Sequence, residues 1–226
     1  AMIARSGLPL RAEDRGDGDP LVIAGGVACM LIPEPIAPFV DGVLVGEAEP
    51  MVEALVEAAA EGDSRRQRLL NIAQQVPGAY VPGFYRVRYH RDGTLAGFEP
   101  TEAVPEQIRR VYAPDIDAFS TCSAVIAPET AFAGRYLIEV SRGCPHGCRF
   151  CSAGFVYRPP RFRQRQRLED DLRRGAARVG RIGLVGAAVS DLPELEELCR
   201  SSEGTDLQIS FSSLRADALT PALIAA

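Results

Sequence analysis

No uninterrupted apolar run in this 226-residue chain approaches the roughly 20 residues that cross a bilayer, which excludes an ordinary membrane-spanning helix. The opening Ala1-Met2-Ile3-Ala4-Arg5 lacks the basic-then-apolar layout of a secretory signal, so a soluble, cytoplasmic protein is expected. Positive charge is not in excess: the net charge is −5, which argues against a general nucleic-acid binder. Lysine is absent altogether, and all 25 basic residues are arginine, a compositional bias without mechanistic content. No internal repeat or low-complexity tract occurs. With 46% hydrophobic and 24% charged residues, the composition is that of an ordinary globular chain, long enough for one large domain or two small ones.

What is present is read first from periodicity. Pro20 to Gly26 reads as a buried strand ending in a glycine turn, and Pro33 to Phe39 as a short helix. Asp41 to Gly46 is a second apolar strand, and Glu49 to Ala60 has a strong helical pattern. This order predicts an α/β fold that opens with a partial Rossmann-like parallel sheet, preceded by a helix or loop from Met2 to Arg15. Asp63 to Gln75 reads as a polar helix capped by Asp63 or Ser64. Tyr85 to Tyr89 and Leu95 to Phe98 flank Asp92-Gly93, a hairpin signal. Pro100, Pro105, Pro114 and Pro128 then interrupt Glu99 to Glu129, which reads as a linker or wrapping segment.

The pattern beyond it is clearer. Strands are predicted at Tyr136–Val140, Ile182–Val185 and Leu207–Phe211. Helices are predicted at Leu168–Val179, at Leu192–Cys199 with Asp191 as N-cap, and after Thr220-Pro221. This βαβαβα order implies a parallel sheet with helices on its faces. The expected domains are 1–62, 63–133 as a linker with helix and hairpin, and 134–226.

Of six cysteines, Cys29, Cys122 and Cys199 are scattered and read as small buried thiols. Cys144, Cys148 and Cys151 sit together in Ser141-Arg142-Gly143-Cys144-Pro145-His146-Gly147-Cys148-Arg149-Phe150-Cys151, a C-x3-C-x2-C pattern. That spacing suits a metal better than paired crosslinks. Thiolates are soft ligands for iron–sulfur clusters or zinc. Three of them leave the fourth iron of a cubane open to a chelating amine and carboxylate. Zinc would want a fourth protein donor, for which His146 is available, but no second Cys-x2-Cys pair completes the usual knuckle.

This loop resembles the radical S-adenosylmethionine (SAM) superfamily, whose reduced cluster cleaves SAM to a 5′-deoxyadenosyl radical. The resemblance implies a [4Fe–4S] cluster on Cys144, Cys148 and Cys151, with SAM as co-substrate. It implies SAM contacts at Phe150 near the adenine, at Gly186-Ala187-Ala188 and at Ser213 and Arg215. Gly186-Ala187-Ala188 stands where the family has Gly-Gly-Glu. A flavodoxin- or ferredoxin-like electron donor is implied as a partner; the substrate is not. The stretch through Ala153-Gly154-Phe155-Val156-Tyr157-Arg158-Pro159-Pro160 is similar to members that carry an N-terminal cobalamin-binding-type domain. Gly25 and Gly26 are the candidate cobalamin-side residues, although the Asp-x-His-x-x-Gly loop of such domains is missing.

The family barrel has six βα units, so residues 134–226 are expected to be units 1–3 of a radical SAM partial TIM barrel, in a chain cut from a longer protein. The rival reading is a non-catalytic, zinc- or cluster-stabilised binding module. It would recognise its partner through the basic stripe of Arg158, Arg161, Arg163, Arg165 and Arg167. An open sheet edge invites pairing with a second copy. Light scattering should then return a dimer mass, and a monomer mass would argue against that edge pairing.

Overall fold

The computed structural model describes residues 2–201 and 206–225. The chain divides into two compact units, Ala1–Ala113 and Pro114–Ala226. Among the described residues no helix is long and apolar enough to cross a membrane.

Unit one starts with α1 (Met2–Arg5) and reaches its sheet at β1 (Ile23–Ala24). There follow α2 (Val27–Leu31), β2 (Gly42–Leu44), α3 (Val52–Ala60), α4 (Arg65–Gln75) and β3 (Ala79–Tyr80). The hairpin β4 (Tyr85–Tyr89) and β5 (Leu95–Pro100) completes the unit. Glu34–Phe39 forms a 3-10 helix where a short helix was expected. Ser64 caps α4, accepting from the Gln67 amide at 3.2 Å.

The sheet order is β1-β2-β3. The β1–β2 pair is parallel, with Ile23 opposite Gly42, as the strand–helix–strand pattern predicts. β3 runs antiparallel to β2, with Val43 opposite Tyr80, so the expected all-parallel sheet is in fact mixed. Two helices joined by a short turn separate β2 from β3. A helical hairpin returns the chain to the end of the sheet it left, and the next strand must then run backwards. β1 is also shorter than the predicted Pro20–Gly26 run and only half-buried, bounded by Pro20 and the glycine pair.

Val43, Met51, Ala58, Ile72 and Val81 form the dry centre of this unit. The rings of Tyr85 and Phe98 stack against each other at 4.5 Å between centroids. The helix and hairpin expected within a 63–133 linker therefore belong to the first core, because their apolar faces close it. Only residues from Pro114 onward join unit two.

A buried charge network fixes the irregular chain ahead of β1. Asp41 accepts from Arg15 Nη1 at 2.9 Å and pairs with Arg65 Nη2 at 2.6 Å. The Val22 amide donates to the same carboxylate at 2.7 Å. The two guanidiniums spend their other donors on the carbonyls of Pro9, Leu10, Phe39, Gly16, Asp19 and Pro20. A buried pair is tolerated when every donor is matched.

Unit two carries β6 (Tyr136–Glu139), β7 (Ser141–Arg142), α5 (Ala153–Val156), β8 (Arg161–Phe162) and α6 (Arg165–Ala176). After these come β9 (Arg181–Val185), α7 (Leu195–Arg200), β10 (Gln208–Phe211) and α8 (Pro221–Ala225). The sheet order is β10-β9-β6, all parallel, with Tyr136 opposite Ile182 and Ile182 opposite Ile209. Parallel strands require their linking helices to cross back over the sheet, and α6 and α7 do so. Leu168, Leu172 and Leu198 face a core of Ile138, Val140, Ile182 and Leu184. Thr220 caps α8 as expected, accepting from the Leu223 amide at 3.0 Å.

Residues 121–123 cover the outer edge of β6, where the Ser123 amide donates to the Leu137 carbonyl at 3.0 Å. Among the described residues no strand covers β10 on its other side. α7 starts at Leu195, after Glu194 in a left-handed turn at φ 59°, so Asp191 is not its cap.

Asp41→Ala leaves two buried guanidiniums without their shared anion and should cost about 3–5 kcal/mol. Removing Glu99, whose pair with Arg88 is exposed, should cost no more than about 1 kcal/mol. Urea unfolding of both variants checks the contrast, and equal losses would contradict it.

Candidate metal centre

The cysteine segment leaves the sheet at the C-terminal end of β6. β7 and β8 pair antiparallel, Ser141 opposite Phe162 and Arg142 opposite Arg161, and close the base of a loop over residues 143–160. All three candidate ligands lie in that loop as free thiols: Cys144 buried, Cys151 half-buried and Cys148 exposed.

Arg163 locks the base. Its side chain is 1% exposed. It donates to the carbonyls of Ile116 at 2.7 Å, Glu139 at 2.8 Å and Phe119 at 3.0 Å, and to Thr121 Oγ1. Beside it, Arg142 makes a two-pronged contact with Glu139 at 2.9 and 2.8 Å. Two-pronged arginine–carboxylate contacts fix orientation as well as charge.

Arg163 is therefore not part of a basic surface. Arg165 pairs with Glu169, Glu194 and Glu197, and Arg167 with Asp171. Arg158 lies over the Phe155 ring at 5.4 Å. Arg163, just past β8, turns inward to the carbonyls of Ile116 and Phe119 while Arg158 and Arg165 are exposed, and this breaks up the expected stripe.

At the loop tip the Cys151 amide donates to the Cys148 carbonyl at 3.1 Å, forming a tight turn that leads into α5. α5 packs directly on the loop backbone: a Cβ on Gly154 would overlap the His146 carbonyl oxygen. Phe150 stands 93% exposed. Among the described residues, no three His, Cys, Asp or Glu side chains stand close enough together to hold one metal ion. The thiols thus share one short loop without forming a ligand set in this conformation. In donor chemistry the loop fits a soft, sulfur-ligated centre. The fourth donor of the zinc reading is engaged elsewhere, since His146 Nε2 lies 2.5 Å from Asp191 Oδ2.

The other sequence-predicted residues of this unit, Phe150 apart, gather at the neighbouring strand ends. The Gly186 carbonyl accepts from Ser212 Oγ at 3.1 Å and from Ser213 Oγ at 2.8 Å. Ala188 is buried and Ala187 exposed. The Arg215 amide donates to Ser190 Oγ at 3.2 Å, and its guanidinium binds Asp191 at 2.8 Å and Asp217 at 2.5 Å. The Asp217 hydrogen bond is the main cause that raises the Arg215 pKa and lowers that of Asp217.

Ser141 Oγ is buried at this end of the sheet and, among the described residues, has no hydrogen-bond partner. Sequence reasoning missed the β7–β8 base, the burial of Arg163 and the role of Asp191. The alternation Arg161-Phe162-Arg163 is the one signal that pointed to β8.

Residues 138–219 match the family described as Radical SAM superfamily, and residues 1–82 match the one described as Radical SAM proteins, N-terminal. An uncharacterized protein of Methanocaldococcus jannaschii is 29% identical over 208 residues, covering 90% of this chain. The chain spans 40% of that relative's length. No solved structure matches the chain significantly.

The N-terminal match corrects the cobalamin expectation, because this is a different domain from the cobalamin-binding type. Gly25 and Gly26 belong to unit one. Gly26, at φ 90°, makes the turn from β1 into α2, a conformation costly for any residue with a Cβ.

Gly154→Ala tests the packing of the loop. Alanine gains up to about 1 kcal/mol in helix propensity, but overlap with backbone costs about 1–3 kcal/mol, so a net loss of thermal stability is expected. Gly147→Ala meets open space and should stay within about 0.5 kcal/mol of wild type. A neutral Gly154→Ala would mean that α5 does not seat on His146.

Proposed function

We propose that this chain, which carries two radical SAM domains, is part of an enzyme that holds a [4Fe–4S] cluster on Cys144, Cys148 and Cys151 and binds SAM beside it. When bound and reduced, such a cluster supplies the electron that cleaves SAM and provides a 5′-deoxyadenosyl radical for hydrogen abstraction from a substrate. The observation that carries this reading is the position of three free thiols on one loop at the end of β6, within the segment that matches the superfamily. Three thiolates leave one iron of a cubane without a protein ligand, which is where an amino-acid chelate fits.

The remaining assignments follow from the strand ends. Gly186, Ala187, Ala188 and Ser213 line the ends of β9 and β10, where they offer backbone and hydroxyl contacts to the methionyl part of SAM. Arg215 adds a guanidinium held by two carboxylates. Phe150, free in solvent, can lie against an adenine without breaking any packing. Ser141 Oγ brings an unspent hydrogen-bonding group to the same end of the sheet. The electron comes from a flavodoxin- or ferredoxin-like carrier in this reading.

Anaerobic reconstitution with iron and sulfide should load about four irons per chain, and the EPR signal of the reduced cluster should change when SAM is added. Cys148→Ala should lose most of that iron. One zinc per chain with no iron retained would overturn the proposal.

A further inference from the structure

His146 lies between two candidate ligands, yet its ring is spent on a different task. Its Nε2 is 2.5 Å from Asp191 Oδ2 and 2.6 Å from Arg215 Nη1. Arg215 Nη1 in turn donates to Asp191 Oδ1 at 2.8 Å, so the three side chains form one cluster in which Nε2 either donates to Asp191 or accepts from Arg215, according to its tautomer. Each comes from a different place: His146 from the cysteine loop, Asp191 from the 3-10 turn after β9, and Arg215 from the segment after β10. Asp191 is the hub, with a side chain only 15% exposed, and each of its oxygens meets one partner.

The cluster has further anchors. The Arg215 amide is held by Ser190 Oγ, and Asp217 takes two more guanidinium hydrogens. On the loop side, the His146 carbonyl sits under Gly154 of α5. A hold at His146 divides the excursion over residues 143–160 into a short arm, 143–145, and a longer one, 147–160, which α5 packs down. One arm carries Cys144, the other Cys148 and Cys151. An added tether inside a loop removes conformations open to the untethered loop.

We propose that Asp191 and Arg215 are positioning residues: through His146 they latch the cysteine loop to the ends of β9 and β10, keeping its thiols at the sheet before any cluster is present. The proposal rests on the reading that this loop receives the cluster. The latch itself involves no metal ligand.

Hydrogen exchange on the metal-free full chain reads the latch directly. In Asp191→Asn, which keeps the shape and removes the charge, exchange over residues 144–152 should rise about tenfold. Peptides from β6 and β9 should change by less than about twofold. Trypsin should cut after the exposed Arg149 faster by a similar factor. Arg215→Lys retains a cation beside Asp191 and should recover part of the protection lost in Arg215→Ala; it also serves as the readout if Asp191→Asn does not fold. In the reconstituted protein, the cluster absorbance of Asp191→Asn should decay several-fold faster in air than that of wild type.

Unchanged loop exchange in both Asp191→Asn and Arg215→Ala would overturn the latch, as would a rise spread evenly over the whole unit. Wild-type protein that takes up no iron would sink the cluster reading instead, and the metal-free exchange would still decide the latch.

Discussion

Arg163 carries its guanidinium into a place without water, and the second unit is arranged to receive it. Its donors meet the carbonyls of Ile116, Phe119 and Glu139 and the hydroxyl of Thr121. Without those partners a buried cation would be prohibitively costly. With them it ties the segment at 116–121 to β6 and to β8. The base of the cysteine loop is thereby held by a buried charge. The loop is closed at its base by the pairing of β7 with β8, and Arg163 ties that base to β6.

A parallel sheet brings all its C-terminal strand ends to one side, and the loops that follow share a small volume. The cysteines follow β6, Gly186 follows β9, and Ser212, Ser213 and Arg215 follow β10. The polar traffic among them is dense: serine hydroxyls bond the Gly186 carbonyl, and Asp191 joins the loop histidine to Arg215. Side chains separated by up to 69 positions in sequence meet there. This is the physical sense in which the sheet builds a site, since no single segment contains enough donors. Unit one solves a different problem by similar means, with Asp41 bridging Arg15 and Arg65 so that an irregular stretch can pack against β2.

Much of the second unit was legible from pattern. Strands at Tyr136, Ile182 and Leu207 were read within a residue or two, because continuous apolar runs between helical segments have few other meanings. The spacing of Cys144, Cys148 and Cys151 singled out their loop, while the spacing says nothing of how the thiols stand toward one another. The first unit was harder. The direction of β3 follows from two helices packing as a hairpin, and a two-residue strand has too little periodicity to be seen. The reading of Arg158 to Arg167 as one surface failed because a count of charges carries no direction: Arg163 is drawn inward by the carbonyls of Ile116, Phe119 and Glu139, which lie far from it in sequence. Asp191 read either as a contact beside Gly186-Ala187-Ala188 or as a helix cap, because an acidic residue shortly before a proline commonly is one; the helix in fact starts later, at Leu195.

By itself, the sequence determined which residue types are available and their local order: three thiols on a short tether, a strand before them and two strand–helix units after. Those facts follow from covalent spacing and from the periodicity with which side chains fall on one face. The tertiary structure alone decided which charges are buried, which strand runs backwards and which distant residue holds His146. Such pairings depend on through-space contact, where burial removes water as the competing partner, and no rule of neighbouring residues encodes them.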